Sequence, residues 1–220
     1  MELVKYNNNS ISAVTSAASI PSGALVPIKT LTASSSSTLS FVDGSSDVVL
    51  DSTYPIYIFK FINIHPSTDG AEFTFQGDTG TNTNYNQTIT STMFTANNYE
   101  NDSQSGLQYF SAFDQAQGTA FQNIQTNVSN DNDNGANGTL QIFNPSSSVF
   151  VKHFIANTQS FQPDGTRLSH NHFIAGYFNT TTALARVRFK MESGNIGAGV
   201  VKMYGVVWWH LQNLIITVLM

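Results

Sequence analysis

Apolar and polar residues alternate along most of this chain, and the dominant period is two. Residues 25–32 (LVPIKTLT) open the series, with Pro27 suited to an edge strand or a strand start. Residues 37–42 (STLSFV) follow, and Asp43-Gly44-Ser45-Ser46 reads as a turn. Residues 54–64 (YPIYIFKFINI) are long, apolar on alternate positions and rich in β-branched and aromatic side chains. Residues 65–70 (HPSTDG) break that run, and residues 71–76 (AEFTFQ) set Phe73 and Phe75 on one face. Further strands are predicted over 88–96, with Ile89 and Phe94 turned inward, and over 107–113 and 121–128. The last group covers 139–143, 150–156, 173–179, 183–191 and 199–207. Residues 77–86 (GDTGTNTNYN) are too polar to bury, and residues 128–138 (VSNDNDNGANG) give the strongest loop signal. No long segment repeats at 3.6 residues, and Glu, Lys and Leu, the usual surface helix formers, are rare. About ten short strands with turns between them predict an all-β domain over residues 25–207, a jelly-roll-like β-sandwich.

The two ends differ from this middle. Residues 7–23 hold few bulky apolar groups and close on Pro21-Ser22-Gly23, so residues 1–24 read as an N-terminal arm. The first residues lack the apolar stretch of a signal peptide. Residues 208–220 (WWHLQNLIITVLM) form an apolar C-terminal tail, yet its uninterrupted pieces fall short of the ~20 residues of a spanning helix. No membrane span is expected. An exposed tail of this kind would aggregate, so Trp208, Trp209, Leu211, Leu214 and Ile215 are expected at an interface with a partner.

Composition narrows the function. Asn, Ser and Thr supply 70 of the 220 residues, while charged residues make up only 10%, against roughly 25% in ordinary soluble domains. The net charge of −5 and the lack of a basic stripe argue against a nucleic-acid partner. With no Cys, a disulfide framework and Cys-based metal or redox sites are excluded. The 16 Phe, 8 Tyr and 2 Trp are enough for a large core. A surface of amides and hydroxyls suits a permanent assembly, because such groups pair across an interface without the penalty of burying a charge.

Motifs of catalysis are missing: there is no GxSxG, HExxH or GxxxxGK[ST]. His170 and His172 stand two apart and would share one face of a strand, but a metal there needs a third ligand. The plainer expectation is a polar face or loop over Ser169-His170-Asn171-His172. His153, beside Lys152, reads as a satisfied core or interface histidine. Asp131-Asn132-Asp133-Asn134-Gly135 resembles the start of a calcium loop, with Asp131 and Asp133 as candidate metal ligands. The twelfth position is Ile142 and not Glu, so the EF-hand reading fails; a looser cation site stands against an Asn/Asp/Gly surface loop. Tyr85, Tyr99 and Tyr109, with nearby amides, could make a sugar platform. Glycan hydrolysis would need a carboxylate pair, and near the central aromatics only Asp114, Glu100 and Asp102 are available, with no pattern to single them out. No catalytic residue and no cofactor is expected, and the chain is not read as an enzyme.

Several stretches carry a resemblance. They are Asp51-Ser52-Thr53-Tyr54, Asn63-Ile64-His65-Pro66, Phe113-Asp114-Gln115-Ala116-Gln117-Gly118-Thr119 and Phe143-Asn144-Pro145-Ser146. Phe150-Val151-Lys152-His153-Phe154, Ala175-Gly176-Tyr177-Phe178-Asn179-Thr180-Thr181-Thr182 and Phe189-Lys190-Met191-Glu192-Ser193-Gly194-Asn195-Ile196 complete the set. From Asp51 to Gly205 the chain resembles a family of virion proteins of marine tailed phages, those of cyanobacteria among them. Residues 193–205 also look like the last hairpin of phage fibre-head and decoration domains. The resemblance implies a virion structural protein on the particle exterior, a capsid decoration or cement protein. It would act as a homo-oligomer, a trimer, and contact the major capsid protein or tail proteins through the arm and the tail, with loops 77–87 and 128–138 pointing outward. The alternative is a tail-fibre or spike head that binds a host surface glycan. The sequence departs from the family after Gly205, since members end near the Tyr-Gly pair.

Overall fold

The computed structural model describes residues 25–162 and 167–207. The arm and the tail, with Trp208, Trp209, Leu211, Leu214 and Ile215, lie outside the described residues. In chain order the strands are β1 (Leu25–Ser36), β2 (Leu39–Val42), β3 (Ile56–Pro66), β4 (Ala71–Thr79), β5 (Ile89–Tyr99), β6 (Ser105–Tyr109) and β7 (Ala116–Gly118). They continue as β8 (Gln122–Val128), β9 (Ala136–Phe143), β10 (Lys152–Gln162), β11 (Leu168–Phe178), β12 (Leu184–Met191) and β13 (Ile196–Val206). A 3-10 turn at Ser111–Phe113 is the one helical piece among the described residues.

All pairings are antiparallel and give two packed sheets, so the expected all-β sandwich is what forms. One sheet has nine strands in the order β1-β13-β3-β9-β10-β11-β5-β6, with β7 also on β5; the other has four, β2-β12-β4-β8. Four pairings organise the chain: β1 with β13, β2 with β12, β3 with β9, and β4 with β8. The chain thus doubles back on itself as one ribbon whose successive pairs fall alternately in the two sheets. Two insertions widen the larger sheet. The β5–β7 segment lies between β4 and β8, the β10–β11 hairpin between β9 and β12, and they meet along β5 and β11.

Period-two patterning fills the space between the sheets. In β3, Tyr57, Phe59 and Phe61 turn inward and are buried, while Ile56, Ile58 and Lys60 turn outward. Phe189 of β12 sits at the centre, with ring centroids of Phe41, Phe59, Phe61, Phe73 and Phe75 between 5.2 and 6.4 Å away. Phe41 and Phe61 meet it edge to face and Phe73 stacks on it at 21°, arrangements that ring quadrupoles favour. A bulge interrupts β3 at Asn63, whose φ is +49°. Opposite it stands Gly199, at φ +120°, where any added Cβ would fall 2.6 Å from the Asn63 carbonyl oxygen.

Several boundaries differ from the sequence reading. The described residues form thirteen strands, against about ten expected. Ile89 points inward as expected, but Phe94 is 44% exposed. Five positions separate them, so a strand of period two cannot turn both inward. The predicted strand over 107–113 ends at Tyr109, and Leu107 is exposed. Gly77 and Asp78 continue β4 and are buried, as is Tyr85, because residues 80–88 and 115–121 fold over the outer face of the four-stranded sheet. In the 128–138 loop, Ser129 and Asn134 are buried and β9 already begins at Ala136.

Candidate binding surfaces

The loop before β9 builds a polar cleft. Asn134 donates from its side-chain amide to the Phe161 carbonyl at 2.5 Å, and its own carbonyl meets His65 Nδ1 at 3.0 Å. Asn137 accepts from the Asn63 backbone N–H at 2.9 Å. These bonds fix the walls of a cleft of about 490 Å³ whose lining includes Asn63, Asn132, Asp133, Asn137, Gln159 and Phe161. Of the two candidate metal ligands, Asp133 faces this cleft, whereas Asp131 caps the turn through its backbone and is exposed. No three His, Asp or Glu side chains among the described residues form a metal-binding group.

His170 and His172 do not lie on a polar loop or outer face. Both sit on the inner face of β11, where pairing sets His172 between Thr158 and Thr95. Their rings are 4.2 Å apart, and His172 Nε2 meets the Thr126 hydroxyl at 3.0 Å. Gln125 donates to the Ser160 hydroxyl at 2.7 Å in the same chamber. His170 Nδ1, His172 Nδ1, Thr95 Oγ1 and Gln125 Oε1 are buried there without hydrogen-bond partners. Burial, with the neighbouring His170 adding to it, pushes His172 down to about 3. The two imidazoles are therefore neutral packing elements at ordinary pH.

His153 is not a core histidine: its ring faces outward and is exposed, stacked loosely on Tyr177 at 5.9 Å. Lys152 takes the inward place because Phe154 and Ala156 fix the phase of β10. The buried ammonium donates to the carbonyls of Ser147, Phe150 and Thr180 at 2.6, 2.7 and 3.4 Å. Burial lowers its pKa. It ties the 144–150 loop down, and Val149 and Phe150 stand out from that loop, 71% and 66% exposed.

The three tyrosines do not make one platform. Tyr85 is buried under the Arg188 guanidinium, 3.8 Å from its ring centroid. Tyr99 is half-buried at the end of β5, and Tyr109 is exposed on β6 with its hydroxyl donating to Asp114. The carboxylates also part company. Glu100 and Asp102 lie on the turn after β5, while Asp114 shares a cleft of about 380 Å³ with Glu72, Glu192 and Lys190. Burial raises the Glu72 pKa, a hydrogen bond from Asn123 opposes the shift, and the Glu192 charge adds to it. Glu72 and Glu192 were invisible as a pair in the sequence; the pairing of β4 with β12 brings them together.

The outer face of the widened sheet is apolar at one end. Phe94 stacks on Phe173 with centroids 4.9 Å apart and planes at 11°. Tyr109 lies across from Phe94 and Leu107 across from Ala96, with Leu107 77% and Tyr109 59% exposed. No helix among the described residues is long and apolar enough to cross a membrane. Compared with family models, with curated proteins and with solved structures, the chain finds no match in any of the three.

Proposed function

We propose that this chain is a non-enzymatic virion structural protein, a capsid decoration or cement protein that works as a homotrimer on the particle exterior. We read the doubled-back ribbon as a jelly roll, two Greek keys widened by the two insertions. The observation that carries the function is the rim of Phe94, Phe173, Leu107 and Tyr109, a contiguous apolar cluster on the outer face of the nine-stranded sheet. Single exposed apolar residues are common, but a contiguous cluster marks a contact. Each Å² covered there contributes about 25 cal/mol, and the partners that fit are neighbouring copies and the major capsid or tail proteins. The resemblance to phage virion proteins supports the same class. Deleting residues 1–23 should leave a folded domain that no longer attaches to particles. Equal attachment by the truncated and full chains would remove the arm from the reading, and locating the chain in intact particles tests the whole of it: high copy number places it on the capsid, low copy number on the tail.

A second reading, a tail-fibre or spike head that binds a host surface glycan, is favoured by the amide-lined cleft around Asn63, Asp133, Asn137 and Gln159. Amides and a carboxylate can pair with sugar hydroxyls, and Phe161 offers an apolar wall. A glycan array probed with the purified chain separates the two, because a cement protein should be silent on it.

A further inference from the structure

We propose that the buried polar chamber between the two sheets is a metal site, which takes one Zn²⁺-class divalent ion on His170 Nδ1, His172 Nδ1, Gln125 Oε1 and Thr95 Oγ1. Each of these four atoms is buried without a hydrogen-bond partner. Gln125, His172 and Thr95 are fully buried, and His170 is 6% exposed. A buried polar group left unpaired is costly, and native structures hold few of them. Four in one chamber point to a guest. Strand pairing assembles them: His170 and His172 stand two apart on the inner face of β11, Thr95 of β5 is across from His172, and Gln125 of β8 reaches Ser160, which is across from His170.

The surrounding bonds aim these atoms as ligands. With its ring proton on Nε2, His172 donates to the Thr126 hydroxyl at 3.0 Å and keeps the Nδ1 lone pair free, the arrangement that metal-binding histidines use. Gln125 spends its amide hydrogens on the Ser160 hydroxyl at 2.7 Å and the Thr126 carbonyl at 3.4 Å, which leaves Oε1 bare. The imidazole rings are centred 4.2 Å apart, and Zn–N bonds of about 2.0–2.1 Å let one ion bridge nitrogens up to about 4.2 Å apart. Two neutral imidazoles with oxygen ligands suit Zn²⁺. Gln125 supplies the third ligand that a metal at the two histidines needs, and a pattern of His and carboxylates does not reveal an amide in that role. The ligands come from both sheets, β5 and β11 of the larger and β8 of the smaller. A bound ion would thus tie the sheets together in a chain that has no Cys for a disulfide. The inference goes beyond the virion reading and does not depend on it.

The test uses the full chain without an affinity tag, stripped with a chelator and titrated with Zn²⁺ or Co²⁺. One equivalent of Co²⁺ should give the visible absorption of an ion held by nitrogen and oxygen ligands, and Zn²⁺ should displace it and raise the Tm. His172→Gln should abolish the absorption and the rise in Tm, and His170→Gln, at the rim of the chamber, is a second variant with the same expected result should the first fail to fold. Thr126→Val, which removes the hydroxyl that orients His172, should weaken Zn²⁺ binding about tenfold. Asp133→Ala should change nothing, because it lies in the cleft before β9 and not in the chamber. A stripped wild type that takes up neither ion overturns the proposal and leaves the four atoms to buried water. So does binding that survives in a folded His170→Gln or His172→Gln variant, or binding that Asp133→Ala removes.

Discussion

His172 shows how one side chain can tie stability to pH. Burial and the adjacent His170 hold its native pKa at about 3, against roughly 6.5 in an unfolded chain. The native state therefore binds fewer protons than the unfolded one across that interval. Its stabilisation is complete above the unfolded value and is lost as the pH falls toward the native one, at a limiting slope of about 1.4 kcal/mol per pH unit. The groups around it are His170, Thr126, Thr158 and Thr95, and no carboxylate is among them to hold an imidazolium. His170, lowered by burial, acts in the same direction. Glu72, raised by burial, acts in the opposite one, and Asp51, lowered chiefly by its bond to the Thr53 side chain, loses its contribution only below the ordinary carboxylate range. Urea midpoints measured from pH 7.5 down to pH 4.5 should fall steeply for the wild type and less steeply for His172→Gln. Parallel slopes would mean that His172 is not the group responsible.

At the scale of elements, β4 decides how the polar middle of the chain is held. Asp78 is fully buried and accepts hydrogen bonds from the backbone N–H of Thr79 and Tyr85 and from the Gln87 amide, at 2.9, 2.8 and 2.9 Å. Gln76, also fully buried, donates to the carbonyls of Gln87, Thr119 and Ala120 at 3.0, 3.2 and 3.0 Å. Asp78→Ala would strand the Tyr85 N–H and the Gln87 amide in a dry site and should cost about 3 kcal/mol. The loss should appear as a lower Tm and as faster amide exchange confined at first to residues 80–88; unaltered exchange there would show that the loop is held by something else. This element also explains what the sequence hid. Phe73 and Phe75 announce their face by spacing, and so do Tyr57, Phe59 and Phe61. Gln76 and Asp78 look solvent-facing, because alternation assigns a polar residue to water unless something later in the chain covers it. Lys152 is the same case: Phe154 and Ala156 set the phase that turns it inward, and the carbonyls that satisfy it come partly from Thr180, far along the chain. Pairing of distant strands, which alternation leaves open, also creates the Glu72–Glu192 cleft and the amide-lined one.

For the whole molecule, the unequal size of the two sheets matters most. Three spacings across the four-stranded sheet come to about 14 Å, while the path from β1 to β6 comes to about 34 Å. The smaller sheet cannot cover the larger, and the insertions overhang. β8 and the residues around Phe110 and Phe113 close the inner side of β10, β11 and β5, but β6 stays exposed at all five positions and ends the strand path. An overhanging terminal strand offers unpaired backbone as well as side chains, a combination that invites another chain. Leu107, 77% exposed, contributes little to its own subunit. Leu107→Glu should therefore leave the unfolding free energy of the monomer, from urea titration, within about 0.5 kcal/mol of wild type, while placing an unpaired charge in any contact that covers β6. Sedimentation at matched concentrations should show the wild type associated and Leu107→Glu shifted toward monomer. An oligomer that tolerates the substitution would place the subunit contact elsewhere, and the exposed Val149 and Phe150 of the 144–150 loop would be the next surface to test with the same charge.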